Sequence, residues 1–256
     1  MSRKFVPKIT TFYSPIFLRD YPTVDCEAPE RVSAIHSEVA ELVIFLEPEL
    51  CNIEDLRLCH TDSVLASVQR YSEVFEVARV SAGAAIAAAE RCFKGPTFSL
   101  ARPPGHHAGR NFNGGFCFFN NIALAVQKLL TANRIGSALI VDIDLHYGNG
   151  TFDIFKDDQR VTFRNISAPS RTEFLSNLDN ALEDAAGYDI VGCSAGFDTY
   201  VHDWGALLFT QDFKTIGSKI TSSNPHVFFV LEGGYYVTDL GRNVHSFLQG
   251  IQEACS

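Results

Sequence analysis

Most of the strand-length runs in this sequence are apolar without a break. Lys8–Phe12, Thr97–Ala101, Ser137–Ile143, Val161–Ile166, Asp189–Ala195 and His226–Leu231 carry β-favouring residues, mostly in continuous rather than alternating order. A strand with one face in water alternates, whereas a strand covered on both faces does not. The runs therefore predict a parallel sheet sandwiched between helices. Parallel neighbours need long crossovers, and the intervening segments supply them. Pro29–Leu46, Val74–Phe93, Asn120–Thr131, Arg171–Ala185, Gln211–Thr221 and Thr238–Glu253 place apolar residues three and four apart, as amphipathic helices do, with Pro29 suited to a first helical turn. No repeat, low-complexity tract or Pro/Ser-rich linker interrupts the alternation, so residues 1–256 read as one α/β domain.

Composition narrows the function classes. A chain of 256 residues can bury a full core without disulfide staples. Its seven cysteines are odd in number and form no Cys-x-x-Cys pair, which suits a reducing compartment and a cytoplasmic protein. The net charge is -9, with no run of basic residues to follow a phosphate backbone or an acidic membrane surface, so direct nucleic-acid binding is not expected. No apolar stretch approaches the roughly 18 to 20 residues of a membrane span. Met1–Pro7 lead into mixed polar sequence without the apolar core of an export signal.

In an open parallel sheet, ligands bind beyond the carboxyl ends of the strands. Chemistry-bearing residues concentrate there. Arg102-Pro103-Pro104-Gly105-His106-His107 follows one strand candidate, and Asp142-Ile143-Asp144-Leu145-His146-Tyr147-Gly148-Asn149-Gly150 ends another. Gly196-Phe197-Asp198 and Glu232-Gly233-Gly234-Tyr235-Tyr236 follow two more. Asp144 and His146 have the period-two spacing that puts two side chains of an extended segment on one face, where they can share a metal ion. Asp198 can complete a three-ligand set. Such a set, without cysteine and with positions left for water and substrate, is that of a catalytic zinc-type site rather than a closed structural one.

Taken in order, these motifs resemble those of the histone deacetylase and acetylpolyamine amidohydrolase superfamily. The matching segments are Arg102–Ala108, Gly114–Asn121, Asp142–Thr151, Ser194–Asp198 and Leu231–Tyr235, with Tyr13-Ser14-Pro15 and Pro29-Glu30-Arg31 nearer the start. The resemblance implies an arginase- and deacetylase-like three-layer α/β fold, with a mostly parallel sheet of about eight strands flanked by helices. It implies one catalytic Zn2+ held by Asp144, His146 and Asp198, and a monovalent ion, usually K+, beside the metal loop. The family's histidine pair falls on His106 and His107, the residues behind them on Asp142 and Asn149, and its carbonyl-polarising tyrosine on Tyr235. Gly115 and Phe116 fall on a wall of the acyl-lysine channel, and Arg31 on an arginine of the internal cavity.

The chemistry follows from the residue types as well. Hydrolysing an unactivated amide needs a nucleophile at neutral pH, charge stabilisation on the carbonyl oxygen and a proton for the leaving amine. A bound divalent ion acidifies water and polarises the carbonyl. His107 then moves the proton, with His106 as its electrostatic partner. Anionic Asp142 would favour charged His106, whereas the neutral amide of Asn149 would orient His107 without adding charge. The expected substrates are acylated lysine side chains, polyamines or similar small amides. An arginase-like ureohydrolase would need further bridging carboxylates, which Thr199 and Tyr200 after Asp198 do not provide. A degenerate member that binds acyl-lysine without turnover is the non-enzymatic alternative, opposed by retention of His106, His107, the three ligands and Tyr235.

The chain also departs from the family. Tyr147 stands where many relatives have a second histidine, and Asn165 and Ser167 stand near positions that often hold Ser and His. Ile166 to Tyr188 runs almost directly from strand to helix to strand, and Tyr71 to Ser81 lacks a loop that usually reaches over the site. Both trims predict a shallow, open mouth. Among the aromatics, Phe116 is assigned to the site, Phe118 and Phe119 to the core, and Tyr147, Trp204 and Tyr236 to rim or core.

Overall fold

The computed structural model describes residues 8–255. Met1–Pro7, read above for an export signal, and Ser256 lie outside the described residues. The strands are β1 (Ile9–Phe12), β2 (Val43–Leu46), β3 (Thr97–Ser99), β4 (Ala138–Asp142), β5 (Val161–Asn165), β6 (Ile190–Ala195) and β7 (Val227–Leu231). They form one sheet in the order β2-β1-β3-β7-β6-β4-β5, and every neighbouring pair is parallel. Central β3, β4, β6 and β7 are buried at every position, which is why their sequences do not alternate.

Helices α1 (Glu30–Val39), α2 (Ile53–Leu56), α3 (Asp62–Gln69), α4 (Ser72–Arg91), α5 (Asn121–Thr131), α6 (Asn149–Phe155), α7 (Arg171–Leu182), α8 (Thr210–Ser223) and α9 (Val237–Ala254) complete the chain. On one face α9 packs on α8 and α1; on the other α4 packs on α5, with α2 and α3 beside them. Side-chain caps fix several starts. Asn120 accepts from Ala123 N at the head of α5, and Ser170 accepts from Glu173 N at the head of α7. Among the described residues, no helix is long and apolar enough to cross a membrane. All seven cysteines are free thiols.

Two expectations need correction. The sheet has seven strands among the described residues rather than about eight. The amphipathic run Pro29–Leu46 is also not one helix: α1 ends at Val39, and Val43–Leu46 leaves the turn as edge strand β2. Neither Gly nor Pro marks that break, and the apolar residues of β2 continue the helical pattern in the sequence. Both connections read as short are short in the structure. Only residues 166–170 separate β5 from α7, and Arg70 and Tyr71 alone separate α3 from α4.

Candidate active site

The carboxyl ends of β3, β7, β6 and β4, adjacent in the sheet, bring together the residues singled out in the sequence. Strand β4 ends in Asp142, whose Oδ1 accepts from Asp144 N at 3.0 Å. That turn directs Asp144 and His146 toward Asp198, which leaves β6. Ligand atoms of Asp144, His146 and Asp198 all lie within 4.8 Å of one another. His146 Nδ1 lies 3.2 Å from Asp144 Oδ1 and 2.9 Å from Asp198 Oδ2. The second of these is an ion-pair distance without a directed hydrogen bond, so buried Asp198 Oδ2 has no hydrogen-bond partner. The hydrogen bond to Asp144 and the adjacent Asp198 carboxylate push the His146 pKa up to about 10, and burial pushes that of Asp198 up to about 7. Two buried carboxylates facing one imidazole demand positive charge, and a divalent ion with oxygen and nitrogen ligands meets that demand.

Glycines make the approach possible. A Cβ at Gly233 would lie 2.6 Å from Asp144 Oδ2 and 2.8 Å from Asp198 Oδ2. Instead, Gly233 N donates to Asp144 Oδ2 at 2.8 Å.

The histidine pair sits on the long connection from β3 to α5. His106 Nδ1 donates to Asp142 Oδ2 at 3.0 Å, and His107 Nδ1 donates to Asn149 Oδ1 at 2.6 Å. Both rings therefore keep Nε2 free of these partners, and His106 Nε2 lies 3.8 Å from Asp144 Oδ1. The loop is pinned on several sides. Gly150 N and Thr151 N, at the head of α6, both donate to His106 O. Glu232 Oε2 accepts from Gly105 N at 2.6 Å and His106 N at 3.1 Å. Buried His60 bridges Gly109 O and Asn120 N, both at 2.9 Å.

Gly115 and Phe116 occupy the middle of a tight turn closed by Gly114 and Cys117, with φ of 56° and 67°. A Cβ at Gly115 would be 2.4 Å from His107 Cδ2, so this turn backs the histidine closely. The Phe116 ring meets the Tyr235 ring edge-on at 5.8 Å. Tyr235 leaves β7 through Gly234, whose φ of 123° suits glycine. Arg31 is fully buried beneath that turn, donating to Gly234 O at 2.6 Å and Glu232 O at 2.5 Å, and its guanidinium carbon lies 4.8 Å from the Tyr235 ring centroid. Burial first, then Asp144 and Asp198 against Arg31, holds the Tyr235 hydroxyl in its protonated form.

The structure thus gathers every predicted ligand, both histidines with their partners, and Tyr235. Sequence reasoning missed His60, assigned Trp204 only to rim or core, where it is half-exposed beside Tyr235, and gave no role to Glu232. Glu232 stood inside a recognised motif, but only the fold shows that it reaches the histidine loop. Phe119 is core as expected, whereas Phe118 is only partly buried.

Comparison with known proteins identifies relatives of the chain. The histone deacetylase domain model matches residues 68–174. A probable deacetylase of Methanothermobacter thermautotrophicus is 30% identical, over 81% of this chain and 78% of that protein. Acetylpolyamine amidohydrolase 1 of Pseudomonas aeruginosa is 36% identical, over 68% of this chain and 61% of its own length. The crystal structure of an acetylpolyamine aminohydrolase from Burkholderia pseudomallei superposes with a TM-score of 0.83 at 23% identity, covering 96% of this chain and 99% of that one. The chain belongs to the histone deacetylase and acetylpolyamine amidohydrolase superfamily, whose members named here are amide-hydrolysing enzymes.

Proposed function

We propose that this protein, working as a single domain, removes acyl groups, acetyl first among them, from lysine side chains, polyamines or similar small amines. The observation that carries this reading is the unequal support of two adjacent histidines beside a three-ligand cluster. His106 is backed by a buried carboxylate and His107 by a neutral amide. Asp144, His146 and Asp198 would hold a zinc ion, which would supply an acidified water and a polarised carbonyl. His107 Nε2 takes the proton of the attacking water and returns it to the leaving nitrogen. His106, held charged by Asp142, stabilises the negative charge that develops nearby. The Tyr235 hydroxyl donates a hydrogen bond to the carbonyl oxygen. Asn149 Oδ1 accepts from His107 Nδ1–H and so fixes the ring with the Nε2 lone pair available to take the proton.

The short connections around residues 166–170 and at Tyr71 support an open mouth, and with it tolerance of bulky acyl groups and small non-peptide amides. The test is turnover by zinc-loaded protein on a panel of acyl-lysine peptides, acetylated polyamines and small amides. Hydrolysis of several substrates is expected. No turnover of any of them by protein with a full metal complement would overturn the proposal, and strict preference for one extended peptide would overturn the open mouth.

A further inference from the structure

Trp204 is the only tryptophan in the chain, and it is 52% exposed. An exposed indole is normally free to change rotamer, but this one is held. Its ring stacks on that of Tyr235 with centroids 4.4 Å apart and planes 24° apart, and it stands edge-on to the His146 ring at 5.7 Å. The segment that carries it is fixed from both ends. Asp203 Oδ1 accepts from Trp204 N at 2.8 Å, while Asp203 Oδ2 accepts from Tyr235 N at 2.6 Å and Tyr236 N at 2.8 Å. One carboxylate therefore ties the backbone of the indole to the backbone of the phenol. Gly205 N donates to Asp198 O at 2.8 Å, where a Cβ on Gly205 would lie 2.9 Å from that oxygen. Ala206 then adopts a φ of 47°, a left-handed conformation that costs free energy for a residue with a Cβ.

We propose that Trp204 is the positioning residue of Tyr235. The inference rests on the reading that the Tyr235 hydroxyl serves the carbonyl oxygen. Phe116 meets the edge of the phenol ring, Arg31 lies against it, and Trp204 covers it from the solvent side. Among the described residues, none hydrogen-bonds the Tyr235 hydroxyl, so its aim depends on how the ring is packed. Offset stacking supplies direction as well as attraction. Reaction rates are steep in such aim, and a displacement of about 1 Å can cost on the order of 100-fold.

The experiment is a double-mutant cycle on zinc-loaded protein, read as kcat and KM separately, with the emission of Trp204 as a second readout. Trp204→Ala is expected to lower kcat about tenfold or more with little change in KM, and Trp204→Phe, which keeps a flat ring, to restore most of it. In Tyr235→Phe, which has no hydroxyl to aim, adding Trp204→Ala is expected to cost little further. Effects that multiply, unchanged kcat in Trp204→Ala, or a raised KM with kcat intact would each overturn the proposal. The last result would make Trp204 a wall against the substrate instead. If Tyr235→Phe itself keeps full turnover, the role given to the hydroxyl fails first, and the positioning role fails with it. Independently of turnover, Tyr235→Ala must alter Trp204 emission; an unchanged spectrum would remove the stack on which the proposal stands.

Discussion

His106 and His107 are chain neighbours with ring centroids 4.1 Å apart, and their surroundings drive them to different protonation states, one charged and one neutral. Burial alone would strip the proton from His106, but the carboxylates of Asp144 and Asp142 outweigh it and hold its pKa well above 6.5. His107 has no such partner. Burial, then the charge of His106, lowers its pKa below 6.5. A neutral base beside a fixed cation is the division of labour that amide hydrolysis needs.

His107→Ala should therefore lose more activity than His106→Ala at neutral pH, within the roughly 10²–10⁴-fold range of general-base loss. The acid limb of kcat/KM reports protonation of the base and should fall below pH 6.5. Asn149→Asp would favour the charged ring, so this limb should move to higher pH. A profile that stays in place in Asn149→Asp would separate His107 from the limb.

Tyr235→Phe keeps the ring and removes only its donor. With the metal content unchanged, kcat should fall by about 10²–10³-fold, as for loss of one oxyanion donor. Equal kcat in the two proteins would leave Tyr235 a rim residue.

One divalent ion per chain is expected by elemental analysis. Asp198→Ala should release it, since only Asp144 and His146 would remain, and a chelator should abolish turnover until zinc is returned. Two tightly bound equivalents, both lost in Asp198→Ala, would contradict the single-ion site.

His60 should make the fold acid-sensitive. Its Nε2 accepts from Asn120 N, so protonation would set two donors against each other, and burial lowers its pKa to about 4. The unfolded chain takes up this proton near pH 6.5. The stabilisation is therefore complete above pH 6.5 and is lost as pH falls toward 4, by about 3 kcal/mol at most. Urea unfolding between pH 7 and 4 should be steeper in pH for the wild type than for His60→Gln. Parallel pH dependences would assign the loss to other groups.

What the sequence made legible follows from chemistry that repeats locally. Unbroken apolar runs marked the buried strands, and Asp144 and His146 stand two residues apart on one turn. The break between α1 and β2 was hidden because Val43 to Leu46 satisfy either period. Trp204 and Glu232 were hidden for a different reason. Each contacts a segment far away in the chain, and only the folded sheet brings β7 against the histidine loop and the Asp198 connection.

The position of β7 has a consequence for how activity arises during synthesis. It is the last of the described strands in sequence order, yet it lies between β3 and β6 in the middle of the sheet. Until it inserts, the strands made earlier can form only two separate ribbons, β2-β1-β3 and β6-β4-β5, with the histidine loop on one and the carboxylates on the other. Pairings this distant in sequence form slowly. A ribosome-bound chain that has not yet released residues 227–231 carries nearly all of its chemical groups and no assembled site. Competence should therefore arrive in one late step, and pulse-labelled amide exchange should show the β7 amides protected together with those that face it on β3 and β6.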